Sequence, residues 1–198
     1  MSELFDTISA PDGATLAGLR ADLVRRAEAE GLLDVAYRTV DSPLGALLVA
    51  TTPVGLVRLA FEGEDHATVL AAIADDVSPR VLQADARLDD LARQLDEYFA
   101  GRRREFEVAL DFQLIHGFRR AVVAQLCEIA YGTTASYQSV AAAAGSPAAV
   151  RAVGSACSHN PIPVIVPCHR VVRSDGTIGQ YLGGTEMKAA LLALEAAG

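Results

Sequence analysis

Asn160-Pro161-Ile162-Pro163-Val164-Ile165-Val166-Pro167-Cys168-His169-Arg170-Val171 is the most constrained stretch of the chain. Three prolines fall within seven residues. Each fixes its own φ and pushes the preceding residue toward extended backbone. Asn160 precedes the first of them and is suited to pinning a turn through its side-chain amide. The segment therefore reads as stiff and deliberately shaped, and it ends on a cysteine set between Pro167 and His169. A thiol reacts as its thiolate, and a neighbouring imidazole can take its proton. Cys168 is thus the candidate nucleophile and His169 the candidate base. Because the two are adjacent, the ring must fold back, through a water, to help. Glu195, on a helix expected over 184–196, is the group expected to orient the histidine.

Working outward, 175–179 reads as a tight turn. Gly179-Gln180-Tyr181-Leu182-Gly183-Gly184 reads as a glycine-flanked loop whose backbone N–H groups face a substrate oxygen. Upstream of the proline-rich stretch the pattern is helical. One helix is expected over 118–129, stopping near Gly132. A second starts at Ser136 and closes at Gly145. A third is opened by Ser146 as N-cap and Pro147 in the first turn, and runs through 148–158. Two short helices joined by a glycine-containing turn have helix-turn-helix geometry. The third presents Ala148, Ala149, Ala152, Gly154, Ser155 and Ala156 with one long cation, Arg151. Such a smooth face can enter a narrow groove closely while the arginine reaches into a base stack.

The first half has a different period. Strands are expected at 35–40, 46–52 and 54–61, forming a small antiparallel sheet, with a further strand at 105–112. Helices are expected at 66–75 and 85–99. A leading helix over 14–30 places Leu16, Leu19, Leu23 and Ala27 on one face and is closed by Gly31. The division is into an N-terminal helical extension (1–34), a small α/β domain (35–113) and a second domain (114–198).

The formal net charge is −8, which argues against a generic nucleic-acid binder. Its distribution is uneven. Residues 1–112 hold 11 Arg against 21 Asp and Glu, whereas residues 113–198 hold 5 Arg and 1 Lys against 4 acids. Any DNA-facing surface is therefore expected in the second half. The sequence has no apolar run long enough to span a bilayer, and its acidic start lacks the pattern of a secretory signal. Three cysteines without CxxC spacing point to a reducing, cytoplasmic setting. Cys127 and Cys157 read as structural, His66, His116 and His159 as incidental, and Arg170 as bonded internally.

The Pro167-Cys168-His169-Arg170-Val171 core, with Tyr137, Arg151-Ala152-Val153-Gly154, Asn160-Pro161, Gly179, Tyr181, Gly183-Gly184, Lys188, Leu191-Leu192 and Glu195, resembles the O6-alkylguanine-DNA alkyltransferases, the methylated-DNA–protein-cysteine methyltransferases. The resemblance covers residues 118–196. It implies an RNase H-like first domain and a winged-helix second domain that binds the minor groove of double-stranded DNA containing O6-alkylguanine. It implies repair by irreversible, single-turnover alkyl transfer to Cys168, from O6-alkylguanine and also O4-alkylthymine, with the damaged nucleotide flipped out of the stack. Arg151 matches the arginine finger, on a helix whose Ala152 and Gly154 permit close approach. Tyr137 matches the tyrosine that rotates the nucleotide and protonates the leaving guanine. His169 matches the water-linked base, Glu195 its partner and Asn160 the hinge, and Lys188 falls at a catalytic position. The backbone carbonyls of Cys168 and Val171 are expected to read the guanine amino group. The N–H near Leu182 is expected to meet O6, with Pro163, Tyr181 and Gly183 shaping the pocket. No cofactor or metal is implied, and the protein is expected to be a monomer.

The chain departs from the family pattern in having no Trp, in Phe118-Arg119-Arg120, in Ala130, and in Gln180 and Leu182 at the pocket edge. Two other readings compete: a lesion-binding relative that does not transfer, and a thiol-dependent enzyme acting on a small molecule.

Overall fold

The computed structural model describes residues 13–197. Residues 1–12 of the expected extension lie outside them. Helix α1 (Gly13–Ala29) is followed by strands β1 (Val35–Val40), β2 (Leu47–Thr51) and β3 (Leu56–Phe61). Helix α2 (His66–Asp76) leads to β4 (Val81–Gln83), and a 3₁₀ turn leads into α3 (Asp89–Phe99). The second half comprises α4 (Phe118–Cys127), β5 (Ala135–Ser136), α5 (Tyr137–Ala143), α6 (Val150–Ser158), β6 (Val171–Val172) and α7 (Thr185–Ala196).

The four-stranded sheet has the order β3-β2-β1-β4. The hairpin-connected strands β1, β2 and β3 are antiparallel, as expected. The sheet as a whole is mixed rather than antiparallel, because β4 pairs parallel with β1. Helix α2 carries the chain from one edge to the other, so β4 enters in the direction of β3, which is also that of β1. Both faces of the sheet are covered, which explains the nearly continuous burial of β2 and β3. Leu48, Ala50 and Val57 pack with Val69 and Ile73 of α2. Leu47, Val49, Leu59 and Phe61 face Leu91, Leu95 and Tyr98 of α3 and the second half.

The segment 105–112 does not form the expected strand. It makes one isolated bridge, Leu56 to Leu110, with Leu56 N–H donating to Ala109 O at 2.8 Å and Asp111 N–H to Leu56 O at 2.8 Å. Gly55 permits this approach, since a Cβ there would lie 2.3 Å from Ala109 O. Helix α1 ends at Ala29 and is closed by Gly31, as expected, with φ of +66°. Its leucine face does not pack: Leu16, Leu19 and Leu23 are 41%, 58% and 53% exposed, and only Ala27 of the four is buried. The helix packs along the flank beside that face, where Val24 meets the core, Arg20 reaches Gln83 and Arg87 pairs with Glu28.

The second helix starts where expected, and Ser136 proves to be its cap, the hydroxyl accepting from Ser139 N–H at 3.0 Å. Ser146-Pro147 does not open α6. It forms a turn closed by Ala149 N–H to Ser146 O at 2.9 Å, and the helix begins at Val150. Ser at the first and Pro at the second position of a β-turn is a signal as strong as N-cap and first turn. The two halves meet where Leu59 N–H of β3 donates to Pro161 O at 2.8 Å. This bond ties the sheet edge to the start of the proline-rich segment. Gly55→Ala is expected to lower the unfolding free energy by about 2 kcal/mol or more, read from urea midpoints, because backbone rather than a movable side chain blocks the Cβ.

Candidate active site

The segment 160–167 is held by one side chain. Asn160 is fully buried. Its Oδ1 accepts from Ile162 N–H at 3.1 Å, and its Nδ2 donates to Val166 O at 2.9 Å and to Cys168 Sγ at 3.1 Å. A single amide thus closes both ends of the loop and reaches the sulfur. Within the loop Val164 has a φ of +72°. A β-branched residue is strained there, at a cost on the order of 1–3 kcal/mol. The clamp and the Val166 N–H to Ile162 O bond at 2.9 Å impose it.

Cys168 opens a 3₁₀ turn, Cys168–Arg170, just after Pro167. The thiol is fully buried, and burial pushes it up to about 11, against the hydrogen bond from Asn160 and the charge of Lys188. It rests as a thiol and needs a base. His169 is equally buried, and burial holds its imidazole below the ordinary histidine range while Glu195 opposes this. Its Nε2 lies 2.9 Å from Glu195 Oε1. A carboxylate only accepts, so Nε2 carries the proton and Nδ1 carries the lone pair. Nδ1 is buried and has no protein partner, which leaves it free to take a proton.

Glu195 is the hub. Burial works to raise its pKa, yet hydrogen bonds from His169, Arg170 and Tyr98 hold the carboxyl far below its usual range. Arg170 donates twice, Nε to Oε2 at 2.8 Å and Nη2 to Oε1 at 2.9 Å. This is the expected internal bond. Gly132 N–H donates to Oε2 at 3.2 Å, and the Tyr98 hydroxyl to Oε1 at 2.7 Å. Neither was legible as a site residue. Tyr98 sits in the apolar stripe Leu91, Leu95, Tyr98 of α3 and reads as core, and Gly132 reads as a helix stop.

The remaining candidates surround this centre. Lys188 is fully buried, donates to Val171 O at 2.5 Å and lies 5.7 Å from the ring centroid of Tyr137. The Val171 carbonyl, expected to face a base, is thus one of the groups that hold this cation. Tyr137, half-buried at the start of α5, places its hydroxyl where a Cβ on Gly179 would come within 2.5 Å. Tyr181 is buried, edge-on to His169 at 6.4 Å and to Phe61 at 5.8 Å. Pro163 is buried, and Leu182 and Gly183 are partly so. A Cβ on Gly183 would collide with Met187 and approach Phe61. On the outer side, a groove of 440 Å³ is lined by Tyr137, Arg151, Gly154, Arg173 and Gly179 among others. Arg151 and Ala152 are exposed on α6, with Ala152 outside the lining of that groove. Cys157 is buried, as a structural role requires, whereas Cys127 is exposed rather than packed.

Residues 117–197 match the family model described as 6-O-methylguanine DNA methyltransferase, DNA binding domain, and residues 35–112 match its ribonuclease-like domain. The chain belongs to this methyltransferase family. It is 39% identical over 161 residues to the methylated-DNA–protein-cysteine methyltransferase of Mycolicibacterium paratuberculosis, covering 81% of this chain and 92% of the relative. It is 38% identical over 160 residues to the constitutive enzyme of that name from Bacillus subtilis, covering 80% and 94%. Among solved structures it is similar to the Mycobacterium tuberculosis O6-methylguanine methyltransferase, with TM-score 0.71, 38% identity and coverage of 82% and 93%. The M. tuberculosis protein in complex with DNA aligns with TM-score 0.69 over the same shares.

Glu195→Gln leaves Arg170 buried beside a neutral amide. It is expected to cost about 3–5 kcal/mol of stability in urea unfolding, well above a surface substitution.

Proposed function

We propose that this chain repairs DNA by moving the alkyl group of an O6-alkylguanine, and also of O4-alkylthymine, onto Cys168 in a single irreversible turnover. The observation that carries this reading is the buried chain Asn160–Cys168 and His169–Glu195, which ends on an imidazole nitrogen with a free lone pair. In the reaction the Cys168 proton passes to His169 Nδ1, through a water as the adjacent positions require. The thiolate attacks the alkyl carbon in line; the S–C bond forms as the C–O6 bond breaks. The electron pair stays on O6, and the guanine takes a proton from the Tyr137 hydroxyl, which the imidazolium then replaces. Glu195 stabilises the imidazolium throughout. A thioether is a poor leaving group, so the protein acts once and needs no cofactor.

The target base is reached by flipping, since O6 is hidden in the duplex. Helix α6 enters the minor groove with Ala152 and Gly154 against the sugars, and Arg151 fills the vacated stack. Pro163, Tyr181, Leu182 and Gly183 shape the pocket, Val171 and Cys168 carbonyls read the base edge, and Lys188 holds the Val171 carbonyl in place. The working division is an extension (1–34), a supporting α/β domain (35–113) and a DNA-binding, alkyl-accepting domain (114–198). The protein acts as a monomer in the cytoplasm. Curated relatives named methylated-DNA–protein-cysteine methyltransferase support this assignment, as does the solved DNA complex of a similar chain.

Restoration of a restriction site blocked by one O6-methylguanine tests it. Repaired sites are expected to rise to one per protein and stop, with none for Cys168→Ser. Tight binding of the duplex with no restoration would instead favour the lesion-binding reading, in which Leu182 narrows the pocket. Arg151→Ala is expected to slow repair of duplex by roughly tenfold or more while leaving reaction with free O6-benzylguanine nearly unchanged, because only the duplex needs its unstacked state supported. Equal losses on both substrates would remove the finger role.

A further inference from the structure

Five donors converge on the Glu195 carboxylate, which offers about four lone-pair sites. Three of them share one oxygen: Oε1 accepts from Tyr98 Oη at 2.7 Å, His169 Nε2 at 2.9 Å and Arg170 Nη2 at 2.9 Å. His169 therefore competes for Oε1 with a phenol from the other half of the chain. Tyr98 is completely buried, and its ring is fixed among Phe99 at 5.3 Å, Phe106 at 5.1 Å and Tyr131 at 6.2 Å. A phenylalanine would fill the same space. A buried hydroxyl in place of a hydrogen is costly unless its bond is used, and the bond it makes is to the carboxylate behind the base.

We infer that Tyr98 is a positioning residue for the proposed alkyl transfer: its hydroxyl holds Glu195 Oε1 and moderates how strongly that carboxylate stabilises His169 once His169 has taken the Cys168 proton. The inference rests on the Cys168–His169–Glu195 reading given above. Burial first, then the Glu195 charge, pushes the Tyr98 phenol far above its ordinary range, so it stays a donor throughout the working pH range. The other charged and titratable groups facing the pair are Arg170 and Lys188, Cys168 and Tyr181 on the pocket side, and Tyr131 with Arg104 over its ring. None of these donates a neutral hydrogen bond to Oε1.

The sign follows from charge. Removing the hydroxyl leaves Oε1 more negative, strengthens its bond to His169 and favours the imidazolium. His169 then holds a proton at higher pH and is unavailable to Cys168, so the acid limb of the transfer rate moves upward. A more acidic phenol has the opposite effect.

The test is the single-turnover rate of Cys168 benzylation by free O6-benzylguanine across the acid and neutral range, with the ¹⁵N shifts of His169 followed in the same samples. For Tyr98→Phe both the acid limb and the His169 titration are expected to move upward by roughly half a pH unit. For Tyr98→3-fluorotyrosine, which keeps the ring packing, both are expected to move downward. A lowered melting temperature with limbs and titrations that superpose on the unaltered protein would overturn the inference and leave Tyr98 a packing residue. Failure of the unaltered protein to become benzylated would overturn the transfer reading instead, and the His169 titrations would still report on Tyr98.

Discussion

The carboxylate of Glu195 lies almost wholly out of water, and donors from three parts of the chain converge on it. Removing a carboxylate from solvent costs several kcal/mol unless charge and hydrogen bonds replace the lost hydration. Arg170 supplies the charge, and Tyr98, Gly132 and His169 supply the rest. These donors belong to three separate structural commitments. Tyr98 requires α3 to dock against the second half. Gly132, with φ of +72°, requires the tight turn after α4. His169 and Arg170 require the 3₁₀ turn that carries the thiol. The C-terminal helix is thereby the place where the fold and the chemistry are joined, and disturbing any one donor is felt by the others.

The thiol is prepared by the opposite strategy. Cys168 is buried without a countercharge in direct contact, so it rests protonated, guarded from adventitious electrophiles and oxidants that attack thiolates. In the proposed reaction the proton leaves for His169 Nδ1, which is buried and has no protein partner. The rigid frame is the Asn160 clamp, which accepts the strain at Val164 in return for fixing the sulfur.

How much of this was legible in the sequence depended on how local the cause was. The proline spacing, the cysteine beside a histidine and the helix start after Ser136 are set by nearest neighbours, and the structure has them where expected. Strands β1 to β3 were legible because long apolar runs alternate with clear turns. Strand β4 was not: Val81-Leu82-Gln83 is too short to show a period, and its parallel pairing comes from the crossover of α2. The segment 105–112 has strand-like residues but follows only one bridge, because Gly55 lets its backbone in at a point. The leucines of α1 read as one helical face, but whether such a stripe is buried depends on a neighbour that sequence period does not specify. Tyr98 shows the same limit at the site. Its spacing marks it as core, and only the tertiary fold brings its hydroxyl to a carboxylate 97 residues away.

The central claim is that one sulfur, Cys168, is the acceptor. The most direct measurement is peptide mapping by tandem mass spectrometry after reaction with a duplex bearing a single O6-methylguanine. The account expects one added methylene, on the peptide containing Cys168 and assigned to that residue, with Cys127 and Cys157 unmodified although Cys127 is the more exposed thiol. Methylation of Cys127 or Cys157, or an unmodified Cys168 in protein that has consumed the lesion, would contradict it.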